Sequence, residues 1–196
     1  MNWEEITGLP CAGKSSFLAN YAKDNQSSIF KNHKGLVRKI FYFFMGIYFL
    51  GFQKLKVLFY WSSQEDGPYY FRLNIFINAV SRFGIFCFAS GSITDKKIRF
   101  LIDEGISHLP FLFLKTDTSL VINFISNDLK TVNVLYLSSP GLKVIQNRLL
   151  SRGHQRLKFL LARTFIERIQ EIENVILSQY PKLCNKFKVL ENVTSI

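Results

Sequence analysis

A glycine-rich loop near the start of the chain constrains the fold more than any other feature of the sequence. The stretch "GLPCAGKSS", residues 8–16, lies between the short segment "WEEIT" and the helical pattern "SSFLANYAKD". Glycines let backbone N–H groups close around an anion in conformations that a side chain would obstruct. The spacing of Gly8, Gly13, Lys14 and Ser15 is that of a phosphate-binding loop. It predicts a phosphate site between the first strand and the first helix.

The rest of the chain alternates short apolar runs with longer helical patterns, which is typical of the α/β class. We expect a three-layer sandwich in which helices cover both faces of a five-stranded parallel sheet. The expected strands are "WEEIT", "SSIF", "KIRFLIDEG", "VNVLYLSS" and "FKVLEN". The first is weakly apolar for a central strand. The 196 residues suit a single domain, 1–196, and no linker divides it.

The charge and the cysteines restrict partners and compartment. A net charge of +11 attracts nucleotides, phosphorylated metabolites, nucleic acid or an anionic membrane. No nucleic-acid-binding signature is present, so nucleic acid is not an expected partner. The three cysteines, Cys11, Cys87 and Cys184, lack the spacing of a disulfide framework or a zinc site. With no room for a signal peptide before the loop, we expect a cytoplasmic protein. The aromatic content of 15% would suit a homodimer face.

The most apolar stretch runs from Leu36 to Trp61 and allows three interpretations. Its uninterrupted run, Ile40 to Phe52, is 13 residues long, shorter than the roughly 20 needed to cross a bilayer. A core helix beside the substrate site is the favoured interpretation. The alternatives are a membrane span and a helix lying on an anionic membrane, at its inner face, with basic side chains near the head groups. Those side chains are Lys39, Lys54 and Lys56.

The loop and one later carboxylate predict a magnesium–nucleotide site. Lys14 is expected to reach the β- and γ-phosphates, and the Ser15 hydroxyl to coordinate Mg²⁺. Asp103, after the apolar run "IRFLI", is the candidate carboxylate for the metal or its water shell. Cys11 is expected to be a small filler rather than a nucleophile. The other loop residues expected around the phosphates are Gly8, Leu9, Pro10, Ala12, Gly13 and Ser16.

Arginines cluster in a third segment, "NRLLSRGHQR", which carries Arg148, Arg152 and Arg156. Arginines after a late helix can close over a transferring phosphoryl group, stabilise its charge and exclude water. The alternative is a solvated basic helix end, where Arg152 complements the helix dipole. We favour the lid.

In this order, "GLPCAGKSS", "RFLIDEG" and "RLLSRGHQR" resemble the phosphate loop, the third strand and the arginine lid of P-loop nucleoside and nucleotide kinases, and of thymidylate kinases most. The resemblance implies the P-loop NTPase fold of the nucleotide kinase type, with ATP as donor and Mg²⁺ as metal. It also implies a cleft for an acceptor above the strand ends, a helical acceptor-side region at about 36–88 and a lid at about 148–156. Asp103 would then serve the metal or the acceptor.

Glu104 departs from that family, because thymidylate kinases have an arginine at this position. A carboxylate would repel a monophosphate, so we expect Asp103 or Glu104 to orient or deprotonate a hydroxyl of a sugar, nucleoside or other small molecule. Arg72 and Arg82 could supply the missing positive charge, which keeps a monophosphate acceptor open. His108 could touch the acceptor, although a lone histidine is more often structural.

The leading functional prediction is an ATP-dependent kinase that moves the γ-phosphoryl group to a small-molecule hydroxyl or monophosphate. One alternative is a thymidylate-like nucleoside monophosphate kinase. Another is an NTPase, in which Glu104 would position water, or an ATP-binding module at a membrane surface.

Overall fold

The computed structural model describes residues 3–24, 28–30, 36–92, 100–151 and 153–191. Its elements are β1 (Trp3–Gly8), α1 (Lys14–Asp24), β2 (Ser28–Phe30), α2 (Leu36–Gln64), α3 (Tyr69–Ser92), β3 (Phe100–Asp103), a 3₁₀ helix (Ile106–Phe111), α4 (Thr118–Leu129), β4 (Asn133–Leu137), α5 (Leu142–Ser151), a second 3₁₀ helix (Gln155–Lys158), α6 (Ala162–Leu183) and β5 (Lys186–Leu190). The predicted α/β class is confirmed.

The strands form a parallel sheet in the order β2-β3-β1-β4-β5. Four of them, β1, β3, β4 and β5, are four to six residues long and make up the body of the sheet. The predicted number of five strands is reached only with β2, which has three residues and pairs with β3 at the edge, where a brief strand is expected from "SSIF". Both neighbours of β1 are therefore full strands, and β1 is central.

The two faces of the sheet are covered unequally. On one face, α1 packs its Leu18 against Ile6, Leu101 and Leu135 of three strands. The opposite face carries the main core, which contains Trp3 of β1 together with residues of the other helices. Successive side chains of a strand point to opposite faces, so Trp3, Glu5 and Thr7 of β1 all face the main core.

A buried carboxylate explains how so polar a first strand can be central. Glu5 is fully buried, and its Oε1 and Oε2 accept hydrogen bonds from the backbone N–H groups of Ile106 (3.2 Å) and Ser107 (2.8 Å). These N–H groups begin a helix and would otherwise lack partners. Burial raises the pKa of Glu5, and the two hydrogen bonds oppose part of that rise. A Cβ on Gly105 would lie 2.1 Å from Glu5 Oε1, so only glycine fits there.

Helices α2 and α3 form an antiparallel hairpin whose backbones approach closely at two glycines. A Cβ on Gly46 would lie 2.0 Å from the carbonyl oxygen of Val80, and one on Gly84 would lie 1.8 Å from that of Tyr42. Helix α3 belongs to the main core. A core position is also the favoured interpretation of the apolar stretch Leu36 to Trp61, which forms most of α2. Helix α2 is buried along one side, at Tyr42, Leu50, Leu58 and Trp61, and is interrupted at Gly51, whose φ is 65°.

Candidate functional site

The topology places a cleft between β1 and β3. These strands are adjacent, but the chain leaves β1 toward the β2 edge and leaves β3 toward β4, on the other side of β1. In open parallel sheets, ligands bind outside the carboxyl ends of the strands at such a switch point. A cavity of about 180 Å³ lies there, between the glycine-rich loop and the residue after β3. It is lined by Cys11, Gly13, Lys14, Ser15, Ser16 and Glu104.

The glycine-rich loop turns between β1 and α1 through backbone conformations that favour glycine. Gly8 has φ of 146° and Gly13 has φ of 96°. A Cβ on Gly8 would lie 2.5 Å from the carbonyl oxygen of Leu137 on the neighbouring strand, so that position requires glycine. Cys11 has φ of 61°, a region that non-glycine residues adopt at a cost. The loop is therefore held in a specific, partly strained shape around the cavity.

Lys14 is drawn into the wall of this cavity. It is 6% exposed, and its Nζ donates to the carbonyl oxygens of Gly8 (3.1 Å) and Leu9 (2.9 Å). The same Nζ lies 3.0 Å from Oε1 of Glu104. The ammonium group that was predicted to bind phosphate thus has a carboxylate as its partner.

Glu104 joins the loop to α3. Its Oε2 lies 3.1 Å from Nη2 of Arg82, which also donates through Nη1 to the carbonyl oxygens of Glu104 and of Gly105 (3.2 Å). The backbone at Glu104 has φ of 57°, and its N–H donates to the carbonyl oxygen of Ile6 at 3.0 Å. The structure therefore brings together Glu104 and Arg82, two of the residues predicted to face an acceptor.

His108 completes this cluster from the 3₁₀ helix. Its Nε2 lies 3.5 Å from Oε1 of Glu104, and its Nδ1 lies 3.1 Å from Oγ1 of Thr7. Burial lowers the pKa of His108 well below its usual range, so the ring is neutral at pH 7. A proton on Nε2 faces the carboxylate, and Nδ1 is then free to accept from the Thr7 hydroxyl.

The charges of the cluster leave it cationic. Burial acts to raise the pKa of Glu104, but His108, Lys14 and Arg82 outweigh it and hold that pKa well below the ordinary value. Glu104 is therefore ionised at neutral pH. At the cavity wall Glu104 balances the charge of Lys14, and the guanidinium group of Arg82 on the other side of Glu104 adds a second positive charge, which favours an anionic ligand.

The predicted lid arginines lie in different environments. Arg148 of α5 donates from Nη1 to the carbonyl oxygen of Cys11 at 3.3 Å, which places it against the loop. Arg152 lies outside the described residues. Arg156 is buried, and it binds Oε2 of Glu65 at 3.2 Å and the carbonyl oxygen of Leu112. Its guanidinium group fastens the α2–α3 turn to the core.

Two further predicted residues take other positions. Arg72 donates to the carbonyl oxygens of Gly67 and Ser63, both at 3.0 Å, and so closes the turn between α2 and α3. Asp103 ends β3 in register with Ile6, and the side chain of the following residue, Glu104, lines the cavity. The carboxylate at the cavity is thus one residue later than the strand pattern suggested.

The oxygen donors at the cavity are compatible with magnesium carried by a nucleotide. Among the described residues, no group of three or more His, Cys, Asp or Glu side chains could hold a metal ion. Mg²⁺ bound to phosphates needs one or two protein oxygens and keeps several waters. The Ser15 hydroxyl lines the cavity with the Glu104 carboxylate, so both are hard oxygen donors in reach of a ligand there. Ser15 and Asp103 remain the predicted metal ligands.

Sequence reasoning missed Thr7 and the carboxylate–lysine pair. The alternation of β1 could have placed Thr7 on the same face as Glu5, but no local pattern indicates that it meets His108, 101 residues later. Comparison of the chain with protein-family models, with curated proteins and with solved structures found no match.

Proposed function

We propose that this protein is an ATP-dependent phosphotransferase with the P-loop fold of the nucleotide kinase type, which moves the γ-phosphoryl group of ATP to a small-molecule hydroxyl. One observation carries the proposal. The loop "GLPCAGKSS" and Glu104 face each other across a cavity at the switch point between β1 and β3. A phosphate-binding loop with a polar residue opposite it is what transfer from a polyphosphate requires.

Nucleotide binding would begin with a change of partner at Lys14. Its ammonium group is paired with Glu104 and would turn to the donor phosphates, which carry more charge than one carboxylate. Arg148, which donates a hydrogen bond to the loop, would bind the same phosphates. Magnesium, when bound with the nucleotide, would neutralise part of the phosphate charge beside Ser15. The loop itself contributes fixed backbone geometry, so it needs little reorganisation.

Glu104 would orient the acceptor rather than remove its proton. A carboxylate whose pKa is held low is a weak base at neutral pH. Phosphoryl transfer through a loose transition state depends mainly on positioning and electrostatic stabilisation, so a strong base is not needed. Glu104 can accept a hydrogen bond from a hydroxyl, while it would repel a monophosphate. The nearby Arg82 is engaged by Glu104, which supports a hydroxyl acceptor over a thymidylate-like one.

The first test is nucleotide affinity, measured by calorimetric titration with Mg²⁺ and ATP. Lys14→Ala should lower the affinity about tenfold to a hundredfold, because a charge-assisted hydrogen bond contributes about 1.5–3 kcal/mol. The matched control is Lys130→Ala, since Lys130 contacts Asn127 on the exposed side of α4. The proposal fails if the wild type does not bind ATP, or if both variants bind it equally well.

The second test is ATP consumption in the presence of nucleosides, nucleoside monophosphates and sugars. Consumption that requires a non-phosphorylated acceptor supports the proposed kinase. Phosphate release without any acceptor would indicate the alternative NTPase, with Glu104 positioning water. Turnover with dTMP and with none of the non-phosphorylated acceptors would overturn the hydroxyl assignment in favour of a monophosphate kinase.

A further inference from the structure

The N-terminal half of α2 presents a row of large apolar side chains to solvent. The row consists of Val37 (80% exposed), Phe41 (49%), Phe44 (63%), Tyr48 (90%) and Phe52 (72%). Spacing of three or four residues puts Val37, Phe41, Phe44 and Tyr48 on one face of the helix, and Phe52 follows the interruption at Gly51. From Val37 to Tyr48 the row is roughly 16 Å long at the α-helical rise. Exposed apolar patches of this kind mark interaction surfaces.

Basic side chains surround this row, and acidic ones are missing from both helices of the hairpin. Neither the sequence of α2 nor that of α3 contains Asp or Glu. Arg38 and Lys39 are exposed at the start of α2, and the Lys56 ammonium lies 4.4 Å from the centre of the Phe52 ring. The partner of such a surface should be apolar within and anionic at its edge.

The contacts of the α2–α3 hairpin distinguish a helix α2 that lies on a bilayer from one that crosses it. By length and composition alone, two helices of the described chain, Val37–Gln64 and Tyr69–Gly91, could cross a membrane, which is weak evidence of a span. However, Leu58 and Trp61 at the far end of α2 are buried in the core. The turn that follows is fastened by Glu65, which binds Arg156 and the backbone N–H of Lys115. Helix α2 cannot leave the domain without breaking these contacts.

We propose that the N-terminal half of α2 docks on the surface of an anionic lipid bilayer. Phe44, Tyr48 and Phe52 would enter the boundary between head groups and acyl chains, as the apolar face of an interfacial helix does. Arg38, Lys39 and Lys56 would remain at the level of the lipid phosphates, with their aliphatic stems along the apolar face. This docking is independent of what the cavity binds, because α2 carries none of the cavity-lining residues.

The test is sedimentation of the full chain with vesicles of phosphatidylcholine alone or with 30% phosphatidylserine. We expect binding to the anionic vesicles at low salt, and strong weakening at 0.5 M NaCl, because salt screens the attraction. The variant Phe44→Ser/Tyr48→Ser/Phe52→Ser should lower the partition coefficient at least tenfold. A second variant, Arg38→Gln/Lys39→Gln/Lys56→Gln, should remove the preference for phosphatidylserine.

The matched control is Leu161→Ser, which removes an equally exposed apolar side chain (78%) outside α2 and should bind like the wild type. Circular dichroism of every variant checks that the fold is retained. Absence of binding at low salt, or binding unaffected by the Ser variant, would overturn the proposal. So would a dimer, found by analytical ultracentrifugation without lipid and lost in the Ser variant, because a second copy would then cover the face.

Discussion

Two carboxylate–arginine pairs, one buried and one partly exposed, show how one chemical arrangement can serve different purposes in this protein. Glu65 binds Arg156 at 3.2 Å and Glu104 binds Arg82 at 3.1 Å. Burial raises the pKa of Glu65, whereas the neighbours of Glu104 outweigh burial and hold its pKa well below the usual range. Glu104 also faces a cavity and holds the ammonium group of Lys14. The first pair fastens elements together, and in the proposed function the second would exchange partners with a ligand.

The largest expected effect tests the structural pair. Arg156→Ala should lower the free energy of unfolding by about 3–5 kcal/mol, because it leaves the buried Glu65 carboxylate without its cation. Urea denaturation measures this change. The ATP affinity of the folded variant should match that of the wild type. If the Arg156→Ala protein is as stable as the wild type but transfers phosphoryl groups poorly, the result would support the lid role that the sequence predicts for Arg156.

A smaller change in free energy is expected at the cavity, where a substitution should strengthen ATP binding. Glu104→Gln should raise ATP affinity about tenfold, roughly 1.4 kcal/mol, because Lys14 no longer has a competing carboxylate. Phosphoryl transfer to a hydroxyl should fall in the same variant. Titration calorimetry and a coupled ATP assay measure the two quantities. Glu167→Gln, in an exposed surface pair with Arg163, is the control and should change neither. Weaker ATP binding by Glu104→Gln would mean that Glu104 serves the nucleotide.

The turn beside the structural pair offers a third test. Arg72→Ala removes two hydrogen bonds to backbone carbonyls and should cost about 1 kcal/mol of stability. Since Arg72 closes the α2–α3 turn, its loss should leave the KM for the acceptor unchanged. Steady-state kinetics with the identified acceptor decide this. An increase in KM with normal stability would restore the acceptor role that the sequence suggested.

The smallest expected effect is a difference between Glu104→Gln and the wild type in how the melting temperature depends on pH. A carboxyl group whose folded pKa is depressed stabilises the fold above its unfolded pKa, near 4.5, and this stabilisation is lost as the pH falls through the folded value. The melting temperature of Glu104→Gln should therefore fall less than that of the wild type below pH 4.5, by about 2 °C. Thermal denaturation from pH 3 to 7 measures it. Parallel curves for the two proteins would show that Glu104 is not held ionised.

The parts of this molecule that sequence predicted well are those set by local pattern. The loop and its flanking strand and helix follow from spacing over a few residues. The roles of Glu5 and Arg156 could not be predicted in this way. Their partners lie about 100 and 91 residues away, and only the packed fold brings them together. Arginine spacing alone could not indicate that Arg148 contacts the loop while Arg156 binds Glu65.

The pairing of Lys14 with Glu104 implies a threshold for any anion that enters the cavity. A ligand binds with its intrinsic affinity reduced by the fraction of molecules in which the lysine is released. Inorganic phosphate or a single carboxylate must displace a partner already at 3.0 Å and gains little by doing so. A ligand with several linked phosphates makes additional contacts with the loop that offset this cost. In the proposed phosphotransferase the internal ion pair would thus select for polyphosphates, in a protein whose net charge of +11 attracts anions of every kind.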